Sequence, residues 1–286
     1  MKRYTRHYSE LTPREALAVP WQEVHVDTIG PWQIKIKGQN LKCLALTCID
    51  PVTNLLEVCS IPSKTAANTW RAFERSWLCR YPRPLRCIHD NGTEFTGHDF
   101  QIPLERAGVK SRPVTSHNPQ SNGICERVHQ TVGLVLRTLV HAHPPSTKEE
   151  ASILMEDALA QSMFACRCVS HGSLNNVSPG AVTFNRDMFL DLPFVADLVS
   201  MQRIRQGQID KRLLRANAKR LARDWKVGDQ VLVRNAISAG DKLKATYRGP
   251  YKILITHTNG NVTLQLPGGV QDRVNVRRLK PYVDDR

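Results

Sequence analysis

The chain has 286 residues, with 40 Lys and Arg against 26 Asp and Glu, for a formal charge of +14. That length holds one full-sized domain plus a small one, each with a core that stands without staples. Six of the eight cysteines lie in or beside apolar runs, and no Cys-x-x-Cys pair occurs, which points to buried reduced thiols rather than a disulfide scaffold. No apolar run approaches membrane-spanning length, and no apolar run follows the basic first seven residues, so neither a signal peptide nor an anchor is expected.

The charge is unevenly placed. Residues 1–200 carry 21 Lys and Arg against 19 Asp and Glu, whereas residues 201–286 carry 19 against 7. A basic module beside a near-neutral one implies a polyanion gripped by the former while chemistry happens in the latter.

Residues 1–20 are polar and punctuated by proline, and are expected to form a poorly ordered lead-in. Strand-like runs follow at 24–29, 41–49 and 55–61, separated by turn residues at Gly30-Pro31, 37–40 and 50–54, which predicts an antiparallel meander. Ser63-Lys64-Thr65 caps an amphipathic helix to about residue 79, with Trp70, Phe73, Trp77 and Leu78 on one side. A fourth strand is predicted at 85–88, a short helix at 98–107 and a weaker fifth strand at 109–114. The breaker-rich stretch 116–123 reads as a loop, followed by a long helix to about 143. On that helix Ile124, Val128, Val132, Val135 and Leu139 form one apolar stripe. Glu126 lies about 160° from the middle of the stripe, on the side of Gln130, Gly133 and Arg137 and in the expected first turn. Helices at 149–169 and from Ser178-Pro179 complete residues 21–192 as a mixed α/β domain of ribonuclease-H-like order.

A basic linker helix is predicted within 193–225, carrying Arg203, Arg205, Lys211, Arg212, Arg215, Lys219, Arg220 and Arg223. Residues 226–286 then hold short strands at 227–234, 251–255, 262–266 and 274–276, with turns between them, as in a small closed all-β barrel of SH3-like kind. No internal repeat is present.

Three carboxylates stand out. Asp27 sits inside an apolar strand, where an unpaired carboxylate is costly, although a paired structural Asp satisfies the same pattern. Asp90 ends the fourth strand, and Asp-Asn-Gly is also ordinary turn chemistry. Glu126, 35 residues further on, suits a helix N-terminus as a dipole acid. Asp50 also ends a strand, but Pro51 and its turn context make it the weaker ligand. Together, two strand-borne Asp and an outward-facing Glu are what a two-metal phosphoryl-transfer site needs, because hard divalent ions take oxygen ligands.

These residues carry a resemblance. Asp27, then Asp90-Asn91-Gly92-Thr93-Glu94-Phe95, then Asn118-Pro119-Gln120-Ser121-Asn122-Gly123 ahead of Glu126-Arg127 resemble the core of retroelement integrases, most nearly those of gypsy-type LTR retrotransposons. Gly249-Pro250-Tyr251 and Arg278-Leu279-Lys280-Pro281-Tyr282 resemble that group's C-terminal barrel, so the likeness covers about residues 20–283. It implies an Asp-Asp-Glu polynucleotidyl transferase that trims element ends and joins the 3′-hydroxyls to target DNA. Asp27, Asp90 and Glu126 then serve as catalytic residues and as ligands of two Mg²⁺ or Mn²⁺ ions.

Asn118, Gln120 and Asn122 are candidate DNA contacts beside the metals, with ordinary loop residues as the alternative. Arg215, Lys219, Lys242, Lys244, Arg248 and Lys252 are candidate phosphate contacts, with a solvated basic surface as theirs. Besides DNA, the resemblance implies a homo-oligomer and nuclear action, with passage through the cytoplasm before import. A chromatin partner for the barrel is a further option. The sequence departs from the family in three places. No His-His-Cys-Cys unit is present, so no zinc is expected; the His more usual before Pro-Gln is Asn118; and the Asn often found three after the Glu is His129. The chain stops at Arg286, leaving no room for an appended chromodomain. Two other readings stay open: a transposase or ribonuclease-H-type nuclease on the same fold, and a catalytically silent protein that binds DNA or recruits a partner.

Overall fold

The computed structural model describes residues 7–8, 10–11, 13, 15–36, 38–114, 119–221, 223–235, 245–257 and 260–282, with backbone alone at 7, 39 and 119–127. They fall into two compact units, one of residues 16–205 and one of residues 1–15 with 206–286. No helix among the described residues is long and apolar enough to cross a membrane.

The first strand, β1 (His7–Tyr8), belongs to the second of these units. The core unit is built on a five-stranded sheet of β2 (Glu23–Ile36), β3 (Gln39–Ile49), β4 (Leu56–Ile61), β5 (Arg86–His89) and β6 (Lys110–Pro113), in the order β4-β3-β2-β5-β6. The predicted meander is present: β2, β3 and β4 pair antiparallel, and β5 and β6 join in parallel on the other side of β2.

Gly30-Pro31 was expected to turn the chain, but β2 runs straight through it with a register shift between Ile29 and Trp32. The extra residue of such a bulge switches the side-chain parity. Ile29 before it and Ile34 and Ile36 after it therefore pack in the same core, with Val132, Leu136, Met155 and Leu159. Gly30 takes a φ of 101°, and a Cβ there would lie 2.6 Å from the Cys43 carbonyl oxygen, so the bulge requires glycine.

Helices cover both faces. On one lie α1 (Ala66–Phe73), the short α2 (Thr93–Thr96) and α3 (His98–Arg106), with Phe73, Trp77, Phe95 and Phe100 packed against Val24, Val26 and Cys87. Thr65 caps α1 through its hydroxyl, and a π-helical stretch, Glu74–Leu78, completes the predicted helix. On the other face lie α4 (Pro119–Ala142) and α5 (Lys148–Cys168). The expected loop at 116–123 is shorter than predicted, because the helix already begins at Pro119, and proline suits a first helical position. A buried Glu57 binds β4 to its surroundings: it accepts from Tyr81 Oη at 2.6 Å and pairs with Arg167 and Arg80.

The short α6 (Pro179–Phe184) is capped by Ser178, and the next helix, α7 (Leu198–Asn217), ends seven residues before the predicted limit at 224. At its start Met201 packs with Leu174 and Val182. Arg205, one of the basic residues of the predicted linker helix, is pinned to the core unit, donating to the Val52 and Ser173 carbonyl oxygens.

In the second unit, β1 pairs in parallel with β7 (Arg220–Leu221). Leu11 is buried and exchanges hydrogen bonds with Asn217, so the described part of the lead-in is built into structure rather than trailing from it. Strands β8 (Gln230–Arg234), β9 (Tyr247–Thr256), β10 (Asn261–Gln265), β11 (Gln271–Asn275) and β12 (Leu279–Pro281) form an antiparallel sheet in the order β11-β10-β9-β8-β12. All five contribute to one core of Val231, Val233, Ile253, Val262, Leu264, Val274 and Leu279, the arrangement of a small barrel.

Candidate active site

Strand alternation orients the first acid. In the parallel pairing of β2 with β5, Glu23 stands opposite Arg86, Val24 opposite Cys87 and His25 opposite Ile88. Asp90 follows directly after His89, the last residue of β5. Val24 and Val26 face the α1–α3 layer, so Asp27, at the other parity of β2, faces the α4–α5 layer. The register is locked by an ion pair between directly opposed residues, Arg86 Nε to Glu23 Oε1 at 2.7 Å.

Each acid is held by its own backbone. Asp27 Oδ1 accepts from the Thr28 N–H at 2.8 Å, and Asp90 Oδ1 accepts from the Gly92 N–H at 2.9 Å. Behind Asp90, the His89 ring packs on Phe95 and its Nδ1 lies 2.6 Å from the Asp90 carbonyl oxygen. A carbonyl only accepts, so Nδ1 carries the proton; burial pushes the pKa of this imidazole down, and its neutral Nε2 accepts from the Ser111 hydroxyl at 2.8 Å. Sequence reading assigned no role to His89.

Another carboxylate supports β2 from the face opposite Asp27. Glu94 is buried, and its Oε1 accepts from Thr28 Oγ1 at 2.8 Å and pairs with Lys64 Nζ at 2.8 Å. Burial alone would raise the Glu94 pKa, but the Lys64 and Thr28 hydrogen bonds outweigh it and hold the group below its usual range. Burial likewise works to lower Lys64, and the Glu94 hydrogen bond with the charges of Glu94, Asp90 and Asp27 raises it instead. This ammonium is therefore within electrostatic reach of both candidate acids. Neither Lys64 nor Glu94 was singled out as a site residue, because the pair joins positions 30 apart in sequence; Glu94 inside the Asp-Asn-Gly-Thr-Glu-Phe motif was the available signal.

Helix α4 closes the other side. His129 Nε2 lies 3.8 Å from Asp27 Oδ2, is buried, and has no hydrogen-bond partner. Burial pushes its pKa down to about 4, so the ring is neutral. Glu126 is on the same helix, three residues earlier, but its side chain lies outside the described residues, as do those of Gln120 and Asn122 and the whole of Asn118. With α4 starting at Pro119, Glu126 sits about two turns in rather than in the first turn. The helix dipole, strongest in the first turn, therefore does not account for an acid at this position. Gln120 and Asn122 are likewise helical rather than in a loop. Among the described residues no three His, Cys, Asp or Glu side chains gather to hold a metal. What the described residues do offer is a carboxylate oxygen beside an unpartnered buried imidazole nitrogen, a donor pair that fits a divalent cation.

Of the phosphate candidates, Arg215, Lys219 and Lys252 are exposed. Arg248 pairs with Asp272 at 3.2 Å and lies over the Tyr251 ring, so part of its charge is already matched. Lys242 and Lys244 lie outside the described residues. Asp50 is fully buried and accepts from the backbone N–H groups of Trp21, Val52 and Thr53, so it closes a turn.

No family model matches the sequence. The chain is 26% identical over 294 residues to the retrovirus-related Pol polyprotein from transposon 412 of Drosophila melanogaster, covering 95% of this chain and 22% of that protein. It is 23% identical over 278 residues to the transposon Tf2-3 polyprotein of Schizosaccharomyces pombe, covering 92% and 20% respectively. The chain thus spans about a fifth of the length of these curated relatives. Its fold is similar to that of a chain in the simian T-cell lymphotropic virus intasome in complex with PP2A regulatory subunit B56 gamma. The TM-score is 0.63 at 13% identity, over 100% of this chain and 87% of that one. The resemblance to retroelement integrases carried by the motifs is thus matched by sequence relatives and by fold.

Proposed function

We propose that this chain acts as a retroelement integrase of the gypsy-type LTR group, trimming element DNA ends and joining them to target DNA. The single observation that carries the reading is that Asp27, on β2, turns towards α4, the helix that bears Glu126, while Asp90 follows the end of the neighbouring strand β5. Asp27, Asp90 and Glu126 would hold the divalent cations. When bound, two Mg²⁺ or Mn²⁺ ions supply activation of the attacking oxygen and stabilisation of the leaving one. The chain's own task is then positioning. Asn118, Gln120 and Asn122 contact DNA beside the acids. Arg215, Lys219, Lys242, Lys244, Arg248 and Lys252 hold phosphates without reading sequence. Assembly into a homo-oligomer and action in the nucleus belong to the same reading.

Joining of a 3′-processed oligonucleotide to plasmid DNA, run beside a gel shift, tests it. Metal-dependent joining by the wild type, lost in Asp90→Asn with DNA binding retained, is the expected result. DNA binding without joining under any divalent metal identifies a catalytically silent binding protein instead.

A further inference from the structure

We propose that His129 is itself a ligand of the divalent cation held by Asp27, which makes this a mixed nitrogen–oxygen site and tilts its preference away from Mg²⁺ towards transition-metal ions that accept imidazole. The inference rests on the reading of Asp27 as a metal ligand and concerns what else reaches the same ion.

Three observations lead there. The 3.8 Å between His129 Nε2 and Asp27 Oδ2 is too long for a hydrogen bond. It exceeds by about 0.8 Å the roughly 3.0 Å between neighbouring donors of an octahedral ion with bonds of about 2.1 Å, so a small side-chain shift brings both groups to one ion. Second, Nε2 is buried with no hydrogen-bond partner, and a buried polar nitrogen left unmatched is rare enough to need a cause. An ion between it and Asp27 supplies one. Third, the helix that carries the ring is fixed in place. The neighbouring Val128 packs against the main core and Val132, one turn on, is fully buried in it, which fixes the azimuth of α4 at this turn. The same alternation that turns Asp27 towards α4 thus brings a carboxylate and an imidazole to one point from two elements.

The chemistry follows from donor hardness. Mg²⁺ takes oxygen ligands and parts with water reluctantly, whereas imidazole nitrogen suits first-row transition metals. A residue with an amide side chain in this place offers oxygen; His129 offers nitrogen. Merely structural packing of the ring predicts none of these preferences.

The test is pulsed electron paramagnetic resonance on the full chain loaded with Mn²⁺ alone, with Mg²⁺ affinity measured by competition. The wild type is expected to show the ¹⁴N coupling of a directly bound imidazole. In His129→Asn the coupling disappears, Mn²⁺ affinity falls roughly tenfold and Mg²⁺ affinity changes less than about twofold. Because the coupling is read on the wild type, the proposal does not depend on the variant folding. If Mn²⁺ binds, is released by Asp27→Asn, and shows no ¹⁴N coupling, His129 is not a ligand while the reading of Asp27 survives. Coupling that persists in His129→Asn overturns the proposal too. Mn²⁺ binding indifferent to Asp27→Asn overturns both.

Discussion

The hydroxyl of Thr28 donates to Glu94 Oε1 at 2.8 Å, tying the residue after Asp27 to the residue four past Asp90. Because side chains alternate along β2, this link lies on the sheet face opposite Asp27. It braces β2 against the segment after β5 without occupying Asp27's side of the sheet, and Lys64 keeps the bracing carboxylate charged.

Gly92 is wedged against that brace. A Cβ at residue 92 would lie 2.5 Å from Glu94 Oε2, and the Glu94 carboxylate, buried and hydrogen-bonded, has little room to yield. Gly92→Ala is expected to cost roughly 1–3 kcal/mol and to disturb the turn that holds Asp90. In a Glu94→Ala background the same change costs under about 0.5 kcal/mol, since the clash is gone. Denaturant melts of the four proteins measure the coupling. Equal costs in both backgrounds contradict it.

The register between β2, which bears Asp27, and β5, which leads to Asp90, depends partly on Glu23 and Arg86. A double-mutant cycle to Ala is expected to give a coupling of roughly 0.2–1 kcal/mol, the range for cross-strand charge pairs. The exchange Glu23→Arg with Arg86→Glu restores more stability than either single change leaves. Thermal melts decide this, and no recovery in the double variant refutes the assignment.

Stability at high pH follows from Tyr81. Burial, reinforced by its hydrogen bond to Glu57, pushes this phenol from 10.0 up to about 12. Between those values the unfolded chain has lost the proton that the folded chain keeps, so stability falls as pH rises through this window and is unaffected below it. Tyr81→Phe removes that component of the slope. Urea melts from about pH 9 to pH 12 measure it, and an unchanged slope in Tyr81→Phe counts against the buried phenol.

Binding to DNA is expected to be strongly salt-dependent. If roughly 6–10 phosphates are engaged, affinity drops about 10³–10⁵-fold between 50 and 200 mM salt. Arg215→Ala or Lys252→Ala each lowers the log–log slope by about 1. Arg248→Ala changes it less, because Asp272 already shares that charge. Filter binding across salt concentrations reads these slopes, and a flat response rules out phosphate-led binding.

Much of this arrangement is legible in the sequence because local patterns dictate it. Apolar runs around Asp27 and before Asp90 mark the strands, and Thr65 and Ser178 mark helix starts through their side-chain oxygens. What escapes is non-local. His7 and Tyr8 find their partners at Arg220 and Leu221, more than 200 residues away, so a polar lead-in gains structure that its own composition does not suggest. Gly30-Pro31 reads as a turn, yet the neighbouring strand absorbs it as a bulge. The Asn-Pro-Gln-Ser-Asn-Gly stretch reads as breakers, yet the helix starts at its proline, which moves Glu126 from the first turn to about the third. The contact between His129 and Asp27 depends on how α4 lies across the sheet, which no spacing within either segment encodes.

The central claim is that Asp27, Asp90 and Glu126 together hold the two divalent cations. A crystal structure of the chain soaked in Mn²⁺, with anomalous difference density recorded at the manganese edge, tests it most directly. The account predicts density for ions that between them lie within about 2.0–2.6 Å of carboxylate oxygens from all three residues, lost on Asp27→Asn. Density elsewhere, or a Glu126 carboxylate that contacts no ion, contradicts it.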